Sequence, residues 1–199
     1  MLAVRVRERS AEEVHDSSRT GRDVSRHAKQ GHHGRRNKRL PRRKYVEWLD
    51  LSHNHISELS PSLFDTIDNL RYLDLSHNNI SVIEGTFPRR LRTLALRGNR
   101  IAKLSSGVFS SGHLRNLFLD DNGMREVESG AFDAVPKLEH VWMGGNVLNC
   151  SRVQLPDGAQ CLEAACGVDY LFWVGDGNCN SQVDPEYDTA QCAWDGGDC

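Results

Sequence analysis

From Val46 onward, apolar and polar residues alternate in short bursts that recur along the chain. The segments VEWLDLSHNHI, LRYLDLSHNNI, LRTLALRGNRI, LRNLFLDDNGM and LEHVWMGGNVL align on Asn54, Asn78, Asn99, Asn122 and Asn146, at spacings of 24, 21, 23 and 24 residues. Within them Leu49/Leu51, Leu73/Leu75, Leu94/Leu96, Leu117/Leu119 and Val141/Met143 alternate with other residues, the period-two pattern of a short strand with one buried face. Behind the asparagines come Ile56 and Leu59, Ile80 and Ile83, Ile101 and Leu104, Met124 and Val127, which would return the chain beneath the strands. Phe64, Phe109 and Phe132 fall ten residues past their asparagines, and Phe87 nine past, in the unit that is three residues shorter. These rings predict a phenylalanine spine on the convex side. One unit alone has too little apolar surface for a core, and stacking units closes a continuous one.

Repeated five times, this pattern resembles L-x-x-L-x-L-x-x-N-x-L, the leucine-rich repeat family, over residues 46–149. The resemblance implies an α/β-type solenoid, a short horseshoe with a parallel concave sheet, and its Phe-bearing form is similar to the class common in extracellular members. The asparagines are expected to be structural, because a buried side-chain amide can satisfy backbone groups of the neighbouring turn. Recognition is expected on the outward strand positions. Read down the five units, these are Trp48, Tyr72, Thr93, Asn116 and His140, then Asp50, Asp74, Ala95, Phe118 and Trp142, then Ser52, Ser76, Arg97, Asp120 and Gly144. Trp, Tyr and Arg dominate protein interfaces. Trp48, Asp50, Tyr72, Asp74, Arg97, Phe118 and Trp142 are therefore the expected contacts for a protein ligand, on a sheet only about 20–25 Å across.

Charge divides the chain into three parts, although its net value is −2. Residues 1–44 carry 14 Lys+Arg against 5 Asp+Glu, residues 45–149 carry 10 against 13, and residues 150–199 carry 1 against 9. The first part has no aromatic residue and few apolar ones, so it is expected to be a disordered basic tail. Its run from Arg35 to Lys44 suits a solvated linker, a convertase site at Arg36-x-Lys38-Arg39, or an anionic partner, including a nuclear address. Without interleaved aromatics to stack on bases, it argues against a nucleic-acid module. The longest apolar run, residues 170–174 (YLFWV), is far short of the ~20 residues that cross a bilayer. Membrane attachment is thus expected only through segments outside this chain. The opening MLAVRVRERS lacks the apolar core of a secretory signal, so a secreted reading assumes an upstream segment.

All six cysteines, Cys150, Cys161, Cys166, Cys179, Cys192 and Cys199, lie in the last fifty residues, with no C-x-x-C zinc pattern. Clustering of this kind points to a small disulfide-stapled module, and hence to an oxidising compartment. Residues 175–199, GDGNCNSQVDPEYDTAQCAWDGGDC, resemble the Notch-type repeat (LNR), a calcium-stabilised module, through G-D-G-x-C and C-x-W-D-G-G-D-C. That resemblance implies Asp176, Asp195 and Asp198 as carboxylate ligands of Ca2+, completed by backbone carbonyls near Asn178. The oxygen-rich acidic sequence fits this preference, and its glycines allow a wrapped backbone. The cysteine that the family places shortly after Cys179 is absent. The resemblance suggests Cys179–Cys199 and Cys166–Cys192 within the module, with Cys150–Cys161 closing the solenoid, since GNVLNC resembles the opening of a cysteine-bearing cap. Cys161–Cys192 with Cys150–Cys166 is the alternative. Asn79 and Asn149 head N-x-S sequons and are candidate glycosylation sites.

The chain is thus divided into a tail at 1–44, a repeat domain at 45–149 and a cysteine-rich cap with the LNR module at 150–199. It reads as a non-enzymatic recognition module of a secreted or cell-surface protein, with a protein ligand and no small-molecule substrate. H-E-x-x-H, G-x-S-x-G and phosphate-loop motifs are absent. The competing readings are an accessory segment of a larger secreted enzyme and an intracellular adaptor with an anion-binding tail.

Overall fold

The computed structural model of the protein describes residues 5–8, 46–59, 63–64, 66–83, 87–109 and 111–163. The expected calcium ligands Asp176, Asp195 and Asp198, the expected pairs Cys166–Cys192 and Cys179–Cys199, and the basic stretch 9–44 lie outside these residues. In chain order the strands are β1 (Arg5–Glu8), β2 (Val46–Asp50), β3 (Tyr72–Asp74), β4 (Thr93–Ala95), β5 (Lys103–Leu104), β6 (Asn116–Phe118), β7 (Glu126–Val127), β8 (His140–Trp142) and β9 (Gln160–Leu162), with a 3-10 turn at Cys150–Arg152. The main sheet runs β1-β2-β3-β4-β6-β8-β9, and β5 pairs with β7 in a separate two-stranded ladder. From β2 to β9 every pairing is parallel.

One register holds all the units. Leu49, Leu73, Leu94, Leu117, Val141 and Cys161 form a single column across the sheet. The first five of them are buried and face the core, together with Leu51, Leu75, Leu96, Leu119 and Met143. Just past the strands the ladder continues: Leu51, Leu75, Leu96, Leu119 and Met143 each donate N–H to the next unit at 2.8 Å. The expected spine is present, with stacked rings at 6.2 Å for Phe64–Phe87, 6.3 Å for Phe87–Phe109 and 5.8 Å for Phe109–Phe132.

The asparagines stitch the turns. Asn99 donates its side-chain amide to Leu96 O at 2.9 Å and to Leu75 O at 3.0 Å, and its Oδ1 accepts from Ile80 N at 3.1 Å. Asn78, Asn122 and Asn146 repeat this pattern one unit apart. A buried carbonyl or N–H left without a partner is costly, so each amide closes two neighbouring turns at once.

Two elements differ from the expectations. Arg5–Glu8, placed in the disordered tail, forms a strand antiparallel to β2, with Val6 opposite Leu49. Strand β2 has no preceding unit, and its open edge supplies the N–H and C=O groups that a short alternating segment can pair with. The sheet also continues beyond residue 149. Strand β9 adds to β8 because Cys161 takes the core column beside Val141, and the expected Cys150–Cys161 disulfide is formed across a separation of 11 residues.

Candidate functional site

The outward positions of the sheet fall into register as two strict columns. Trp48, Tyr72, Thr93, Asn116, His140 and Gln160 form one, and Asp50, Asp74, Ala95, Phe118, Trp142 and Leu162 the other. Strands ~4.8 Å apart hold neighbouring rings close enough to stack. Phe118 and Trp142 do so with centroids 4.1 Å apart, and Trp48 and Tyr72 at 6.0 Å. His140 leans on Trp142 at 5.6 Å. Six of the seven expected contact residues therefore share these two columns, with two aromatic pairs separated by Thr93 and Ala95, and Arg97 follows β4 two residues past Ala95.

The two aspartates expected among the contacts also serve the turns. Asp50 Oδ1 accepts Ser52 N at 2.8 Å, and Asp74 Oδ1 accepts Ser76 N at the same distance. Tyr72 donates its hydroxyl to Asp74 Oδ2 at 3.0 Å. Burial raises the Asp74 carboxyl above the usual range, while the Ser76 and Tyr72 donors oppose that shift. Arg97 reaches Asp121 Oδ2 at 3.5 Å at the rim of the sheet.

Residues outside the expected set complete the site. Asp120 is only 1% exposed, and neither of its carboxylate oxygens receives a hydrogen bond. Burial pushes its carboxyl up to about 6, with the Arg97 charge pulling the other way. Beside each asparagine, His53, His77, Gly98, Asp121 and Gly145 all adopt positive φ, between 53° and 68°. Only Gly fits beside His77, because a Cβ at Gly98 would lie 2.6 Å from the imidazole Nδ1. His53 and His77 stack at 4.4 Å along this rim. Burial first, then the neighbouring His53 and Arg97, lower the pKa of His77. The sequence signal for this column was the run of His, Gly and Asp before each Asn, residue types that tolerate the left-handed region better than most.

The face is less open than outward positions imply. Tyr72 is 6% exposed, and Phe118 and Trp142 are both 0% exposed. The sequon residues lie elsewhere. Asn149 is exposed and accepts a hydrogen bond from its own Ser151 hydroxyl at 2.7 Å, whereas Asn79 is half-buried in a turn.

A leucine-rich repeat profile matches residues 44–87 and 89–148, more than half of the chain. The chain belongs to the leucine-rich repeat family. This leucine-rich repeat chain is 35% identical over 108 residues to Tsukushi of Xenopus tropicalis, a match covering 50% of this chain and 30% of Tsukushi. Among solved structures it is similar to the crystal structure of a TLR13–ssRNA13 complex, with a TM-score of 0.42 and 24% identity over 55% of this chain and 19% of that one. The parallel sheet, the asparagine ladder and the phenylalanine spine are what the leucine-rich repeat sequence pattern implies.

Proposed function

We propose that this chain is a non-enzymatic recognition module of a secreted or cell-surface protein, binding a protein ligand on its concave face. The observation that carries this reading is the register that aligns Trp48 with Tyr72 and Phe118 with Trp142 as stacked pairs on one face, where the repeat core does not need them. Trp48, half-buried, is the most open member of these pairs, with Tyr72 6% and Phe118 and Trp142 0% exposed, and rings held in preformed stacks meet a ligand at little conformational cost. The Cys150–Cys161 disulfide supports an oxidising compartment. The acidic C-terminal stretch, with Asp176, Asp195 and Asp198, supplies the oxygen donors of a Ca2+ site.

Binding is tested by presenting the oxidised full chain to an array of extracellular proteins. The Tyr72→Ala/Phe118→Ala variant, verified as folded, should lose the bound partner at least about tenfold, which corresponds to ~1.4 kcal/mol. Equal binding by this variant would refute the concave-face reading. The calcium site is tested separately by calorimetry, where heat and a rise in thermal stability are expected by about millimolar Ca2+. Loss of both signals in Asp195→Asn/Asp198→Asn would assign the ligands, and no response of the parent chain would remove the site.

A further inference from the structure

The residue just before each outward column forms a column of its own. Arg71 N donates to Glu47 O at 2.8 Å, Arg92 N to Arg71 O at 2.7 Å, Arg115 N to Arg92 O at 2.8 Å and Glu139 N to Arg115 O at 2.8 Å. Glu47, Arg71, Arg92, Arg115 and Glu139 therefore lie abreast where the chain enters the sheet. Like charges on adjacent strands, at the ~4.8 Å inter-strand spacing, repel one another. The two outer arginines are relieved from the flanks, Arg71 by Glu47 at 3.8 Å and Arg115 by Glu139 at 2.7 Å, so each leans away from the centre. Arg92 between them is exposed and has no ion-pair partner among the described residues.

The turn that leads into β4 adds to this charge. Arg89 and Arg90 are both exposed there, and Arg90 donates to the neutral amide oxygen of Asn69 at 2.8 Å, which leaves its charge uncompensated. Five of the ten basic residues of 45–149 thus meet on one edge of an otherwise acidic domain. The edge is also polar throughout. The exposed large apolar side chains among the described residues, Val82 and Val147, both follow the asparagines of their units, on the side where the chain leaves the sheet. A protein partner is anchored by apolar and aromatic contacts, and single-stranded nucleic acid by base stacking, and this edge offers neither. An extended acidic peptide repeats its same-face carboxylates only every ~6.6 Å, out of step with arginines ~4.8 Å apart. Guanidinium forks bind oxyanions such as sulfate in bidentate fashion, so a hydrophilic chain dense in sulfate groups fits best.

We propose that the file Arg71, Arg92 and Arg115, with Arg89 and Arg90 beside it, binds a sulfated polysaccharide, Arg92 receiving a sulfate between its two braced neighbours. The choice of an extracellular polyanion rests on the compartment proposed above. The site itself is separate from the aromatic pairs of the concave face. A bound sulfate relieves the repulsion within the file that Glu47 and Glu139 relieve only at its two ends.

The test uses the oxidised full chain with heparin-derived oligosaccharides. Residues 1–44 carry 14 Lys+Arg of their own, so the readout is taken arginine by arginine, as the rate of phenylglyoxal modification mapped by peptide mass spectrometry. With oligosaccharide at about ten times its dissociation constant, Arg89 and Arg92 should react about tenfold more slowly, since only the free fraction is open to the reagent. Arg100 and Arg125, past the asparagines on the far side of the strands, should react at an unchanged rate. Hyaluronan, which carries carboxylates and no sulfate, should leave Arg92 unprotected. In Arg89→Ser/Arg92→Ser, where no ion pair is broken, the protection of Arg71 and Arg115 should be lost while thermal unfolding stays at the parent's midpoint. Unslowed modification of Arg92 under saturating oligosaccharide would overturn the proposal, and so would equal protection by hyaluronan or by oligoglutamate. Full protection of Arg71 and Arg115 in the double variant would do the same. The footprint and the concave-face binding assay are read on different residues, so either can fail while the other stands.

Discussion

Asn99 shows how much one side chain carries. Replacing it with Leu leaves Ile80 N without its acceptor and removes one of the two asparagine amides that donate to each of Leu75 O and Leu96 O. With one buried donor orphaned, a loss of about 1–3 kcal/mol is expected. Urea unfolding of Asn99→Leu measures it, and a loss below half a kcal/mol would show that the ladder is ornamental. Asp120 behaves in the opposite sense. Its carboxyl is pushed from 3.8 up to about 6, so the folded state holds a proton that the unfolded chain has released. Stability from this group is therefore highest below pH 4 and declines as pH rises through the window from about 4 to 6. At neutral pH the buried charge costs ~3 kcal/mol by the pKa difference, an order-of-magnitude figure. Asp120→Asn should raise stability at pH 7.5 by about 1–3 kcal/mol and flatten the acid-side pH dependence relative to the parent chain. An unchanged difference between pH 4.5 and 7.5 would contradict the assignment.

At the scale of elements, β9 depends on a covalent tie where its neighbours depend on leucines. Gln160-Cys161-Leu162 has no repeat pattern, and Cys161 holds its place in the core column through Cys150. Closing a loop of about a dozen residues stabilises by ~3 kcal/mol in the chain-entropy account. Cys150→Ser/Cys161→Ser should lose about that much in denaturant unfolding. It should also expose the β9 amides to hydrogen exchange while β3 and β4 stay protected. Uniform loss of protection would mean that the cap supports the whole stack. The same contrast explains what could be read from the sequence. The repeat strands, the asparagine turns and the Phe64–Phe132 spine were legible because each position recurs with one fixed chemistry. Strand β9 was not, because a single cysteine in a core column leaves no periodic trace. Strand β1 was not, because pairing to an open edge depends on a distant partner and not on local pattern. At the site, the columns holding Trp48, Tyr72, Phe118 and Trp142 were legible by counting along strands. The burial of Phe118, Trp142 and Asp120 was not, since it depends on neighbours in space and not on the strand's own alternation.

On the scale of the molecule, the sheet is asymmetric at its two ends. Strand β1 runs against β2 while every later strand runs with its neighbour, and β9 forms the opposite border of the sheet. Stacking one solenoid on another head to tail would require a parallel strand to meet β2, and β1 already occupies that edge. Arg7→Pro removes the backbone donor opposite Trp48, whose neighbours Glu47 and Leu51 pair with the β3 side, and should uncover that edge. Sedimentation of this variant should show mass increasing with concentration, and a variant that stays at the parent's mass would argue that the edge needs no guard. The antiparallel strand β1 therefore ends the parallel series of the repeats on this side. A strand of a second chain approaching from that side meets β1 before β2, so it cannot extend the repeat sheet in the parallel register that Leu49, Leu73 and Leu94 share.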